Sequence, residues 1–386
     1  MKNETQAVLK KYYLENIHPL CKCGQPGTFM YIAYNRKSKK YFPRCMPSTT
    51  MRHAPDCASY SVASSLGLQQ LRDENTVIMD ETTGKIYVDI QFILTKHLVE
   101  RTKAVPQQEN PTSAVKGKSG FTLQSLLQFL WHNAGLCVSP TLNGTVTWDD
   151  VKKYLIDASG HMMTKGFELT ERLYIPVSAQ SGYEKYVKLS ATTRIDGGIA
   201  QVGIMIDLLD TVWMTETQGE YGKLKTRNNP HVMCIDKKTH KKLQTHYDKY
   251  KSTWESCNET MNVVVIATYV RKEEVFSVLE FALMSITKEW LPCANTLEKK
   301  MIEKLTSDSR HFDKCLRFNL PASRPVPSAV LSDTTTPRVE LYVWPEEGFC
   351  ATYESELRAI LRKSPAATWC WREKNDPELP PLPPCC

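Results

Sequence analysis

Sulfur placement constrains this chain more than any other feature. From Cys21 to Cys57 the sequence reads "CKCGQPGTFMYIAYNRKSKKYFPRCMPSTTMRHAPDC". Cys21 and Cys23 flank one lysine on a tight loop, with Gly24 to permit the turn. The aromatic and β-branched run "GTFMYIAYNR", the lysines and "KYFPR" then read as a β-hairpin with a basic tip at Lys37, Lys39 and Lys40. The hairpin returns the chain towards His53 and Cys57, which share the turn "HAPDC", where Pro55 bars a plain helix. Three thiolates and an imidazole make a tetrahedral set that suits zinc. Cys45 is an alternative to His53 as the fourth ligand. A segment this short and loop-rich lacks a core of its own, and a closed structural metal site would supply one.

The compartment follows from what surrounds these thiols. The opening "MKNETQAVLKKYYLENIHPL" is charged throughout, with no apolar stretch and no small-residue cleavage site of a secretory signal. No apolar run approaches a membrane span. The expectation is a cytoplasmic chain without membrane association, whose 13 cysteines are buried thiols or metal ligands rather than a disulfide framework. A length of 386 residues implies more than one core, and the net charge of +7 favours anionic partners such as DNA or RNA.

The segments "MYIA", "RCMP", "HAPDCASY" and "LGL" resemble the start of a bacterial domain-of-unknown-function family, number eleven seventy-three. The resemblance continues through "FTLQSLLQFLWHNAGL", "WDDVKKYLI", "LYIPV", "EWLP" and "LRFNLPASRPVPSAVLSDT", most of the chain. It implies that Cys21, Cys23 and Cys57 match the family's three cysteines and His53 its histidine. Cys45 is then extra. It also implies carriage on plasmids and integrative elements, with other mobile-element proteins as partners. It brings no activity with it.

Residues 76–95 alternate around a Thr-Gly turn and read as a second hairpin. The polar stretch 101–120 reads as a linker. Leu123, Leu126, Leu127, Leu130, Trp131 and Ala134 define one face of a helix closed by Gly135. Thr147 with Asp150 starts another. The loop between them, with Pro140 and Gly144, is too long for a DNA-reading helix-turn-helix, so they read as a packing pair. "SAQSGYEK" reads as a turn, and "YVKLSATTRI", "IAQVGIMIDLLDTVWM", "GKLKTR" and "HVMCI" read as strands. A charged helix follows, with a basic patch at Lys237, Lys238, Lys241 and Lys242, and then two buried strands.

From residue 294 the pattern is helix, three strands, helix, strand, the order of restriction-endonuclease-like nucleases. Such enzymes hold Mg²⁺ through carboxylates. Glu298, Asp333 and Glu340 stand at candidate positions, but Tyr342 occupies the place of the lysine two residues beyond the strand glutamate. Lys363 is a weaker substitute, and Arg317, Arg324 and Arg338 are candidate phosphate contacts. The tail "NDPELPPLPPCC" is of polyproline type, expected to be disordered or to dock on a partner.

The fold class expected is α+β. It divides into a zinc-binding β-rich module (1–100), a linker (101–120), a helical segment (121–185), a β-rich domain (186–293), an αβββαβ nuclease-like region (294–375) and a proline-rich tail (376–386). The leading function is a non-catalytic, zinc-binding, nucleic-acid-associated accessory protein of a mobile element. The rivals are a metal-dependent nuclease and a protein-only assembly scaffold.

Overall fold

A computed structural model describes residues 2–15, 17–35, 40–45, 53–54, 57, 67, 70–71, 76–80, 85–90, 95–97, 121–139, 146–193, 195–196, 199–214, 221–255, 261–270, 275–321, 323–334, 338–345, 351–363 and 367–385. The architecture is mixed α and β. It begins with helix α1 (Lys2–Leu14) and strands β1 (Leu20–Cys21), β2 (Thr28–Asn35) and β3 (Lys40–Cys45). Strands β4 (Val77–Met79), β5 (Ile86–Val88) and β6 (Thr95–His97) precede α2 (Leu123–Asn133), β7 (Val138–Ser139) and α3 (Trp148–Ser159). Then come β8 (Met162–Thr164), β9 (Phe167–Glu168), β10 (Leu173–Tyr174), α4 (Gly182–Thr192), β11 (Ile195–Asp196) and β12 (Ile199–Gln201). Strands β13 (Gly203–Met214), β14 (Tyr221–Thr226) and β15 (Met233–Asp236) lead through α5 (Lys237–Glu255) to β16 (Met261–Val270) and β17 (Phe276–Ile286). The last elements are α6 (Thr296–Ser307), β18 (Phe312–Lys314), β19 (Ala329–Leu331), β20 (Val339–Trp344), α7 (Ala351–Lys363) and β21 (Thr368–Arg372).

Local signals explain most helix boundaries. Thr147 and Asp150 form a reciprocal capping box at the start of α3, and Gly135 takes a φ of 74° just beyond α2. One expectation is corrected: most of "YVKLSATTRI" is not a strand, because residues 182–192 form α4, and only Ile195 at its end enters a strand, β11. Ser181 accepts from the Glu184 N–H at 3.1 Å while Glu184 accepts from the Ser181 N–H at 3.0 Å, so the stretch read as a turn is a helix start.

The central feature is a closed circuit of strands. β13 pairs with β14, β14 with β15, β15 with β17, β17 with β16, and β16 again with β13. All these pairs are antiparallel except β15–β17, which is parallel. Met205, Leu209, Leu224, Met233, Ile235, Val264, Ile266, Phe276, Val278 and Leu283 fill the interior, and Leu243 of α5 joins them. Asp207 is buried on the inward side of β13, between Met205 and Leu209. It accepts from the N–H groups of Leu208, Asn228 and Asn229 and from Asn228 Nδ2, at 2.7–3.1 Å. The alternate residues of β13, β16 and β17 pack outwards into a second core with α2 and α3.

The last third contains a five-stranded sheet in the order β21-β20-β19-β18-β7. β18, β19 and β20 form an antiparallel meander, and β21 adds in parallel after α7. Leu297, Met301, Ile302 and Leu305 of α6 cover one face, against Leu341 and Trp371. Tyr353 and Leu357 of α7 cover the other, against Tyr342. The proline-rich tail lies on its own chain. Trp369 Nε1 donates to the Pro381 carbonyl at 3.0 Å and Arg310 Nη1 to that of Pro383 at 2.7 Å, while Leu379 and Leu382 pack on the sheet core.

Strand pairing crosses the divisions drawn from the sequence. β4–β5 is the expected hairpin, but β5 joins β8, Ile90 bridges Phe121, and β6 pairs with β12. β7, from the helical segment, edges the C-terminal sheet through β18. The linker at 101–120 lies outside the described residues.

Candidate metal centre

The cysteines and histidine are brought together by a three-stranded sheet and the turns at its end. β1 pairs antiparallel with β2, so Cys21 stands opposite Thr28. Gly27 allows the crossing: a Cβ there would meet the Cys21 carbonyl oxygen at 3.0 Å and Leu20 Cβ at 3.2 Å. β2 pairs with β3 along its whole length. Helix α1 braces β3, since Gln6 accepts from the Tyr41 N–H at 2.7 Å and donates to its carbonyl at 2.9 Å. On the returning turn the Cys57 N–H donates to the Ala54 carbonyl at 2.8 Å, which draws Cys57 back towards His53.

Cys21, Cys23, His53 and Cys57 then meet, with their ligand atoms all within 4.8 Å of one another. Cys21 Sγ and Cys57 Sγ are 3.7 Å apart. His53 Nδ1 lies 3.3 Å from Cys23 Sγ and 3.6 Å from Cys57 Sγ. Metal–sulfur bonds of about 2.3 Å and metal–nitrogen bonds of about 2.0–2.1 Å, spread at tetrahedral angles, put sulfurs roughly 3.8 Å apart and sulfur and nitrogen roughly 3.6 Å apart. The Cys21–Cys57 and His53–Cys57 separations lie close to those values, and His53–Cys23 is shorter at 3.3 Å. A disulfide needs a sulfur separation of about 2.05 Å, and none of these cysteines is in one.

The electrostatics agree. The Cys23 N–H favours the Cys21 thiolate, but burial and the adjoining Cys23 and Cys57 thiols outweigh it and push Cys21 up to about 11. Burial pushes His53 down, which keeps the imidazole neutral and its nitrogen a donor to a metal. A metal ion among them would displace the thiol protons and offset the repulsion between the resulting thiolates. The Ala54 N–H donates to Cys23 Sγ at 3.4 Å and fixes that sulfur's direction. This hydrogen bond is not foreshadowed by the ligand spacing; a residue directly following a ligand is the signal for it. His53 itself is buried. Cys45 closes β3 with its backbone opposite Met30, and its side chain lies outside the described residues. Lys37 and Lys39 also lie outside them, and Lys40 is placed by its backbone, opposite Asn35.

The three carboxylates of the nuclease reading are not brought together. Glu298 pairs with Lys314 at 2.9 Å, both side chains 5 % exposed. Asp333 accepts from Arg310 Nε and Nη2, both at 2.9 Å, and from the His311 N–H at 2.8 Å. Glu340 accepts from the Tyr342 hydroxyl at 2.7 Å, in a half-buried position that raises its carboxyl pKa. The reason is the pleat. Val339, Leu341 and Val343 share the α6 face, so Glu340 and Tyr342 take the α7 face. Glu298 reaches the sheet from α6, the opposite side. Arg317 bonds the carbonyls of Pro321 and Arg324 within its own loop, at 2.7 and 2.6 Å. Lys363 ends α7, with its side chain outside the described residues.

The chain matches the model of a protein family of unknown function, DUF1173, over residues 1–374. It belongs to that family. No curated protein and no solved structure matches this DUF1173 member. No helix among its described residues is long and apolar enough to cross a membrane.

Proposed function

We propose that this DUF1173 protein is a zinc-stabilised, nucleic-acid-associated accessory protein of a mobile genetic element, without catalysis at the metal. The observation that carries the zinc reading is the close grouping of the ligand atoms of Cys21, Cys23, His53 and Cys57. Three sulfurs and one nitrogen select a borderline-soft ion over Mg²⁺ or Ca²⁺, and four protein ligands leave no open position for a substrate. Zinc would supply cohesion to this small sheet. The charge of +7 supports the association with nucleic acid, and the plasmid setting rests on the family resemblance.

Elemental analysis tests this. We expect about one zinc per chain in the native protein and less than about half in His53→Ala or Cys57→Ser. A native protein below half a zinc, or carrying iron instead, overturns the reading.

The nuclease reading draws on the element order of residues 296–372 alone. With its carboxylates on opposite faces of the sheet or tied to arginine, no step is assigned to it. Nicking of plasmid DNA with Mg²⁺, lost in Asp333→Ala, is the result that would revive it.

A further inference from the structure

Among the described residues, the outward side of β14 is exposed and basic. β16 and β17 are buried almost throughout, because α2 presses on their outer side. β14 behaves differently. Leu224 and Thr226 are buried while Lys223, Lys225 and the following Arg227 are exposed. β15 beside it alternates in the same way, with Met233 and Ile235 inside and Asp236 exposed. Lys223 and Lys225 on the outward side of β14, and Arg227 just beyond its end, therefore set three cations at every second position. Alternate residues on a strand are about 6.8 Å apart, close to the phosphate repeat of an extended single strand. Lys225 shares its charge with Asp210 of β13 at 3.5 Å; no ion pair to Lys223 or Arg227 occurs among the described residues. Asp207, from inside the barrel, holds Asn228 and Asn229 by their N–H groups and so fixes the chain as it leaves Arg227.

The circuit itself gives this wall a meaning. Numbered along the barrel, the strands run 1-2-3-5-4 and close on 1, with strands 3 and 5 parallel and a helix between 3 and 4. That is the connectivity of the oligonucleotide- and oligosaccharide-binding barrels, whose ligands lie across strands 2 and 3. Topology alone assigns no ligand; here the cations stand on strand 2 of the same wall.

We propose that the β14–β15 wall of this barrel binds single-stranded nucleic acid, with Lys223, Lys225 and Arg227 contacting successive phosphates. The proposal rests on the nucleic-acid reading above but not on the zinc. A neutral oligosaccharide would not call for cations, and a duplex presents its phosphates on a surface too broad for one strand's row.

The test is fluorescence anisotropy of the full chain with labelled oligo-dT and oligo-U of about 16 nucleotides, the upper site size for one such barrel, and with a duplex of equal length. We expect either single strand to bind more tightly than the duplex. The variant Lys223→Ala/Arg227→Ala should weaken binding about tenfold and lower the salt slope by about 1.4, or 0.7 for each phosphate that the variant no longer neutralises. Both residues are exposed, and an unchanged thermal melt confirms that the variant folds. Lys241→Ala/Lys242→Ala, on α5, should bind as the native chain does. Native binding that survives Lys223→Ala/Arg227→Ala, that is lost from α5 instead, or that favours duplex overturns this proposal alone. No binding to any of the three ligands overturns it together with the nucleic-acid reading.

Discussion

At the scale of single residues, buried carboxylates do structural work that their sequence positions did not reveal. Asp207 satisfies the backbone N–H groups of Leu208, Asn228 and Asn229 at once. Each buried donor left without a partner costs about 1–3 kcal/mol, so Asp207→Ala should lower stability by at least about 3 kcal/mol in urea unfolding. Asp333 acts through charge. Burial pushes its carboxyl up, but the Arg310 fork and the His311 N–H outweigh that and hold it below the ordinary range. A depressed carboxyl stabilises the fold above its unfolded pKa of about 3.9 and loses that contribution as pH falls through the folded value. Asp333→Asn should therefore be less stable than the native chain at neutral pH, with the gap narrowing below about pH 4. Parallel pH-dependent melts check this; a gap that stays constant with pH refutes it.

At the scale of elements, the tail and α4 show two ways in which local reading falls short. A proline-rich segment has no internal hydrogen bonds, so its own sequence cannot say what it rests on. Here Trp369 and Arg310 donate to its carbonyls. Removing residues 377–386 takes away those two bonds and the packing of Leu379 and Leu382, and should destabilise the chain by about 2–4 kcal/mol. A truncated chain with an unchanged urea midpoint would show that the tail rests on the sheet without supporting it. Helix α4 was legible in principle. Its capping box, Ser181 and Glu184, was in plain view, but the β-branched residues after it pulled the reading towards strand. The helix face of α2, the cap of α3 and the strands of the last third were all readable, because period and cap depend on residues a few positions apart.

At the scale of the whole molecule, the order of segments in the chain is not their order in space. β5 and β6, from the first hundred residues, complete sheets begun by β8 and β12. A fragment starting at residue 121 leaves β8 and β12 with unpaired edges. It should be insoluble or fail to give a cooperative melt, where two independent domains would give a well-behaved fragment. The sequence by itself determined the cysteine and histidine cluster near the amino end, most helices and strands, and the alternation of β14, since these depend on residue type and short spacing. The cluster of Cys21, Cys23, His53 and Cys57 was legible because thiols and an imidazole at short spacing on turns are the pattern of a metal site. Only the tertiary structure decided that five strands close into a barrel, that the cations of β14 stand exposed on its outside, and that Glu298 and Glu340 fall on opposite faces of one sheet. Those outcomes depend on pairing between segments tens of residues apart, which is set by how the cores pack together rather than by any local pattern.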